Sequence, residues 1–216
     1  MVKKMKIKKI EKKILCRIFL NNLKGKTTAR NIQRYLDIEK KEFNRIIDNL
    51  ISKQLIKKIK TNYNLTEKGR MNIKVVFTGG VYDIIHPGHI HTLKNSKQNG
   101  DLLIVSIARD SRVIKIKGRK PINNEKRRTI LVSAIKYVDF TLLGSKGDIF
   151  SIVKKIKPDI ITIGYDQTHQ ISELRKLVKI NNLNIKIKKL GSPIPHVKSS
   201  DLRTKYKKRN KSRHQL

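Results

Sequence analysis

Apolar residues recur at helical spacing through the first third of the chain. Ile7, Ile10, Ile14, Leu15 and Ile18 share one stripe with lysines outside it, which predicts an amphipathic helix over residues 7 to 23. Lys24-Gly25-Lys26 breaks that pattern, and Thr27-Thr28 offers N-cap hydroxyls for a short helix closing near Tyr35-Leu36. A third helix is expected from Asp37 to Lys53, with Phe43, Ile46, Ile47, Leu50 and Ile51 as its apolar stripe. Leu55 to Lys60 and Tyr63 to Thr66 then read as the arms of a β-hairpin about a Thr61-Asn62 turn.

From Asn72 the pattern switches to short apolar runs separated by amphipathic segments. Strands are expected over 73–79, 101–107, 137–142, 159–164 and 184–190, and helices over 88–98, 124–135, 147–156, 171–181 and 199–206. Strongly apolar strands alternating with helices predict an α/β fold, a Rossmann-like doubly wound parallel sheet covered on both faces. Such sheets bind ligands beyond the carboxyl ends of their strands. Three helices and a hairpin resemble a winged helix-turn-helix. The expected organisation is thus a small winged-helix domain over 1–71, a catalytic domain over 72–204 and a basic, disordered tail over 205–216.

Composition changes the picture in two respects. The formal net charge of +36 over 216 residues fits a polyanionic partner, whether nucleic acid, an anionic membrane or a phosphorylated substrate. It fits equally a solvated lysine-rich surface, because the lysines are spread over the whole chain. Cys16 is the lone cysteine, so an intrachain disulfide and a cysteine metal cluster are excluded and a cytoplasmic setting is expected. The apolar run Ile14 to Leu20 is short and broken by Arg17, unlike a signal peptide, and no stretch has the length of a bilayer span. A soluble protein with no membrane partner is expected.

The chemistry concentrates after the first strand of the α/β part. Gly80-Val81-Tyr82-Asp83-Ile84-Ile85-His86-Pro87-Gly88-His89 sits where a strand hands over to a helix. Pro87 suits the first helical position, and Gly88 lets a ligand lie against the helix start. His86 and His89, three residues apart, share a face and can both donate to phosphate oxygens beside a helix N-terminus. Gly79 and Gly80 permit close backbone approach, Asp83 is expected to hold the loop through backbone hydrogen bonds, and His91 lies on another face. Lys115, Lys117, Arg119 and Lys120 surround Gly118 in what reads as a mobile cationic loop able to close over phosphates. Arg127 and Arg128 open the next helix, where a cation opposes the macrodipole unless an anion binds there; Arg127 is the first choice. Gly164, Tyr165 and Asp166 follow the fourth strand, with Asp166 placed to read base or ribose. Ser199, Ser200 and Arg203 set two hydroxyls and a guanidinium at a late helix start. Tyr165 is the best placed aromatic for stacking a large ring.

Together these segments resemble the cytidylyltransferase-like, HxGH nucleotidyltransferase superfamily over roughly residues 73–204. Gly80 to His89 follows its G-x-F-D-x-x-H-x-G-H pattern, and Ser199-Ser200-Asp201-Leu202-Arg203 its late S-S-x-x-R motif. The resemblance implies that His86 and His89 contact phosphates, that Val81, Tyr82 and Asp166 line the nucleotide pocket, and that Mg²⁺ or a similar ion accompanies the triphosphate. Lys117-Gly118-Arg119-Lys120-Pro121 and Gly164-Tyr165-Asp166-Gln167 are most similar to archaeal-type FAD synthetases, which adenylate FMN with ATP. The alternative within the superfamily is a cytidylyltransferase using CTP and glycerol 3-phosphate or another phosphorylated alcohol. There, however, Ser192-Pro193-Ile194-Pro195-His196 replaces the usual R-T-x-G-I-S-T. A non-enzymatic alternative is a nucleotide-sensing DNA-binding regulator, with residues 1–71 meeting nucleic acid through Lys40, Lys41, Asn44 and Arg45. Homodimerisation through that winged helix is a further role open to it.

Overall fold

The computed structural model describes residues 7–25, 28–145, 150–164 and 169–191. The expected helix over 199–206 and the basic tail lie outside them. The chain divides into two compact units, Met1–Lys74 and Val75–Leu216.

In the first unit, α1 (Lys9–Lys24), α2 (Ala29–Leu36) and α3 (Lys40–Ser52) precede a hairpin of β1 (Ile56–Ile59) and β2 (Asn62–Leu65), closed by the single turn α4 (Glu67–Arg70). Ile14, Leu15, Ile18, Ile32, Phe43, Ile47, Leu50 and Leu55 form its core. Ile51, expected in the α3 stripe, is exposed. Helix α3 also starts later than its sequence pattern indicates, because Asp37 takes the left-handed conformation and closes α2 instead. The hairpin turn shifts by one residue for a similar reason: Ile59 pairs with Asn62, and Lys60 adopts φ 55°. Glu11 joins α1 to α3, its buried carboxylate accepting from Asn49 Nδ2 at 2.6 Å and Lys53 Nζ at 2.8 Å. Burial alone would raise the Glu11 carboxyl, but the Lys53 and Lys8 bonds outweigh it and hold the group below its ordinary range. Gly69 is required by contact: a Cβ there would lie 1.9 Å from the Leu55 carbonyl oxygen.

The second unit is built on β3 (Val75–Gly80), β4 (Leu102–Ile107), β5 (Phe140–Leu143), β6 (Ile160–Ile163) and β7 (Lys186–Lys189). They form a five-stranded sheet in the order β5-β4-β3-β6-β7, and each pairing is parallel. The chain winds outward from β3 through β4 to β5, then returns to β6, so the strand order reverses beside the end of β3. That is the switch point at which a doubly wound sheet opens a crevice. Strand period fixes what each face carries. Val76, Leu103, Val105, Ile107 and Ile160 pack with Leu93 of α5 (Pro87–Lys97) and Val132 of α7 (Glu125–Ser133). Phe77, Ile161 and Ile163 point the other way, toward Ile152 of α8 (Phe150–Ile156) and Leu174 of α9 (His169–Ile180). Thr78 and Thr162 are buried polar residues on the α5 face and are satisfied there: Thr78 Oγ1 donates to the Thr162 carbonyl at 2.9 Å, and the Thr162 and Ser96 hydroxyls meet at 2.8 Å.

One expected loop is a helix. Residues Asp110–Lys117 form α6, so Lys115 and Lys117 belong to an ordered last turn rather than to a mobile segment. Asp110 at the start and the two lysines at the end complement the macrodipole, Val113 is buried, and Gly118 (φ 63°) caps the helix by donating to the Ile114 carbonyl. Arg119 and Lys120 follow in the connection to α7.

Candidate active site

The sequence of β3 ends in two glycines, and the second is set by what lies over it. A Cβ on Gly80 would come 2.8 Å from the Tyr82 ring. Tyr82 itself takes φ 53°, which turns its side chain back into the core beside Val76 and Leu93. This corrects its expected place in the pocket lining: the ring is 4 % exposed, and burial pushes its hydroxyl well above the usual range. Its contribution is support. The Tyr82 ring lies 5.1 Å from that of His89, tilted by 56°.

His86 is the N-cap of α5, Pro87 fills the first helical position, and the His86 carbonyl accepts from the His89 amide at 2.9 Å. That spacing brings the imidazoles together. Their centroids are 3.8 Å apart and their planes 32° from parallel. Gly88 is buried between them in sequence, leaving the helix start without a side chain in the way. His89 Nδ1 is buried with no hydrogen-bond partner among the described residues. Burial first, then the neighbouring His86 and the charge of Lys117, pull the His89 pKa down to about 4 against a weaker opposing bond from the Ile84 backbone. At neutral pH His89 is therefore a neutral ring with N–H to donate. An anion placed beside it favours its protonated form, so phosphate binding draws a proton onto the ring.

Lys117, at the end of α6, is thus near enough for its charge to act on His89. Arg127 is exposed in the first turn of α7. Arg128, ranked behind it from sequence, is wholly buried and is the residue that ties the loops together. Its guanidinium donates to the Asn123 carbonyl (2.9 Å), the Val81 carbonyl (2.6 Å), the Ala108 carbonyl (2.7 Å) and the Asp110 carboxylate (2.6 Å). The local cost of a cation at that helix start is met by Asp110 and three carbonyls rather than by a bound anion. Around it, Asp110 and Glu125 each accept from the other's backbone amide, and Arg109 bridges Glu125 to the Gly144 carbonyl. Asp83 accepts from the Asn123 amide at 2.9 Å, while the Asn123 side chain donates back to the Asp83 carbonyl at 2.8 Å. Asp83 therefore holds its loop. His91 is paired with Asn95 at 2.7 Å on another face of α5. One signal could have found Arg128: it stands four residues before the buried Val132, on the inner face of α7.

Val81 and Gly80 line a cavity of about 140 Å³, open to solvent, between the sheet and helices α6, α8 and α9. Gly164 is buried and directly follows β6. Asp166, Ser199, Ser200 and Arg203 lie outside the described residues. Among the described residues no three His, Cys, Asp or Glu side chains gather as a metal cluster, and no helix is long and apolar enough to cross a membrane.

Comparison with known proteins agrees with this geometry. The cytidylyltransferase-like family model matches residues 77–205. The chain is 44 % identical over 116 residues to a Pyrococcus horikoshii protein named FAD synthase, covering 53 % of this chain and 78 % of the relative. It is 49 % identical over 116 residues to the FAD synthase of Thermoplasma volcanium (54 % and 79 % covered) and 43 % over 128 residues to that of Picrophilus torridus (59 % and 91 %). A crystal structure described as the lipopolysaccharide core biosynthesis protein of Thermoplasma volcanium superposes with a TM-score of 0.53 at 42 % identity, covering 56 % of this chain and 98 % of that one. With a matched model over residues 77–205, more than half of the chain, and a histidine pair stacked at the α5 start, the chain belongs to the cytidylyltransferase-like family and is a nucleotidyltransferase.

Proposed function

We propose that the chain transfers AMP from ATP to FMN, giving FAD and pyrophosphate. The observation that carries this reading is the His86–His89 pair, 3.8 Å apart at an open helix start. Its kinship with three proteins named FAD synthase supports the choice of substrates.

In this reaction a phosphate oxygen of FMN attacks the α-phosphorus of ATP in line, the bond to the β-phosphate bridging oxygen breaks, and pyrophosphate leaves. The protein's task is alignment and charge neutralisation. His86 and His89 donate to the phosphate oxygens together with the backbone N–H groups of Pro87's helix turn, beginning at Gly88. Lys117 and Arg127 bring positive charge to the β- and γ-phosphates. Gly80, Val81, Gly164 and Asp166 border the nucleoside, and Ser199, Ser200 and Arg203 approach the triphosphate from the late turn. A Mg²⁺ ion fits as part of the ATP substrate, because phosphate and water oxygens supply most of its coordination and no dedicated protein cage is needed. It would lower the charge of the triphosphate and of the leaving pyrophosphate. We assign residues 1–71 as an accessory winged-helix module and place the enzyme in the cytoplasm.

Pyrophosphate release by the purified chain tests the reading. ATP with FMN is expected to turn over and yield FAD. Turnover confined to CTP with glycerol 3-phosphate would replace the substrates, and none with either pair would remove the reading.

A further inference from the structure

We propose that the buried hydroxyls of Thr78, Thr162 and Ser96 form a clasp at the fork of the sheet that sets where His89 stands, making them positioning residues for nucleotidyl transfer. The proposal rests on the histidine-pair reading of the site and not on the identity of the acceptor. Strand β3 pairs with β4 as far as Gly80 with Ile107, but with β6 only at Val76 with Ile160 and Phe77 with Ile161. The sheet therefore parts at the next step, which is Thr78 beside Thr162. Side chains take over where the ladder stops. Thr78 Oγ1 donates to the Thr162 carbonyl at 2.9 Å, and Thr162 Oγ1 lies 3.5 Å from the Phe77 carbonyl. The third member comes from outside the sheet: Ser96 Oγ of α5 meets Thr162 Oγ1 at 2.8 Å. All three residues are at most 2 % exposed.

One direction of donation satisfies the whole chain, since each hydroxyl has a single proton to give. Thr78 gives its proton to the Thr162 carbonyl, so it accepts from the Tyr82 hydroxyl bonded to it. Thr162 gives its own to the Phe77 carbonyl and accepts from Ser96.

Both ends of this chain reach His89. Ser96 follows His89 by seven residues, about two turns of α5, and so shares its face, with buried Leu93 between them. At the other end the Tyr82 ring lies 5.1 Å from that of His89. Leu93 packs in the cluster of Val76, Leu103 and Val105, and such apolar contact is non-directional, so it tolerates sliding. Hydrogen bonds do not, because they weaken steeply off their preferred geometry. The clasp thus fixes how α5 sits along the sheet, and with it the histidine in its first turn.

The experiment compares Ser96→Ala, Thr162→Val and the double variant by melting temperature, by kcat and KM for ATP, and by NMR titration of the His89 ring without substrates. Each single variant leaves a buried hydroxyl without its partner, so its melting temperature should fall. The double variant replaces both partners by apolar groups and should regain much of that loss. Turnover should not follow. A displacement of about 1 Å can cost about a hundredfold in rate, so kcat should fall about ten- to a hundredfold in Thr162→Val and stay low in the double variant. KM for ATP should stay within about threefold. Thr162→Ser, which keeps the hydroxyl, should recover most of kcat. Burial is the chief cause holding the His89 pKa at about 4, ahead of His86 and Lys117, so a looser α5 that admits water should let it rise. A double variant with natural kcat and natural His89 titration overturns the proposal, as does one in which stability and kcat recover together. Should the Thr162 variants not fold, Ser96→Ala decides: lowered kcat with a raised His89 pKa supports the clasp, and natural values of both overturn it. Failure of the natural chain to form FAD would count against adenylation of FMN, while the His89 titration, which needs no acceptor, still decides the clasp.

Discussion

His86→Asn and His89→Asn should each lower turnover with ATP and FMN by about 10²- to 10³-fold, the loss typical of removing one positioned donor from an anionic transition state. Asparagine retains a polar amide and is a favoured N-cap, so His86→Asn preserves the start of α5. The two imidazoles stack at 3.8 Å, and in the proposed reaction they act on the same phosphates. The double variant should therefore lose much less than the product of the single losses. Thermal melts separate this from unfolding: the melting temperature should move by only a few degrees, whereas kcat falls. Unchanged rates in both single variants would take the pair out of the reaction.

The second large effect belongs to a residue that touches no substrate. Arg128→Ala leaves the Val81, Ala108 and Asn123 carbonyls and the Asp110 carboxylate without their shared donor. Removing one partner of a buried charge pair costs about 3–5 kcal/mol, so a marked fall in melting temperature is expected. Arg128→Lys should recover little of it, because a single ammonium cannot span the planar fork that reaches four acceptors. Val81 and Ala108 directly follow β3 and β4, so loosening this node displaces the loops that leave both strands. Turnover measured below the melting transition should fall in Arg128→Lys, while Arg127→Lys, at an exposed position, should keep the melting temperature unchanged. An Arg128→Lys enzyme as stable and active as the natural one would contradict the positioning role.

Sequence patterning carried the central sheet well, because strands buried on both faces read as nearly continuous apolar runs, interrupted here only by small hydroxyl residues. Val75 to Thr78, Leu102 to Ile107 and Ile160 to Ile163 are such runs, each bounded by Gly, Asp or Ala. The histidine pair was equally legible, since its Pro-Gly spacing has a direct backbone meaning. Edge elements were harder. Strand β5 is half-buried and four residues long, so its start was read too early, in Tyr137 and Val138. Helix α6 was hidden by its lysines: charge suggested a loop, while Asp110 and Gly118, the actual start and stop signals, flank the segment. Arg128 was ranked second and read as a phosphate ligand, and Asn123 was missed, because their partners are groups contributed by distant loops, which no local spacing encodes. Tyr82 shows the reverse error. Its motif position marks the site, but a left-handed backbone turns the ring inward.

The most direct measurement is the ring titration of His86 and His89 by NMR on ¹⁵N-histidine-labelled chain, with and without a non-hydrolysable ATP analogue. In the free chain His89 should remain neutral until the pH nears 4. Because its pKa starts below neutrality and phosphate favours the charged ring, saturating nucleotide should raise it and shift the resonances of both histidines. Rings that keep the same shifts and the same titration with nucleotide bound would show that the phosphates lie elsewhere.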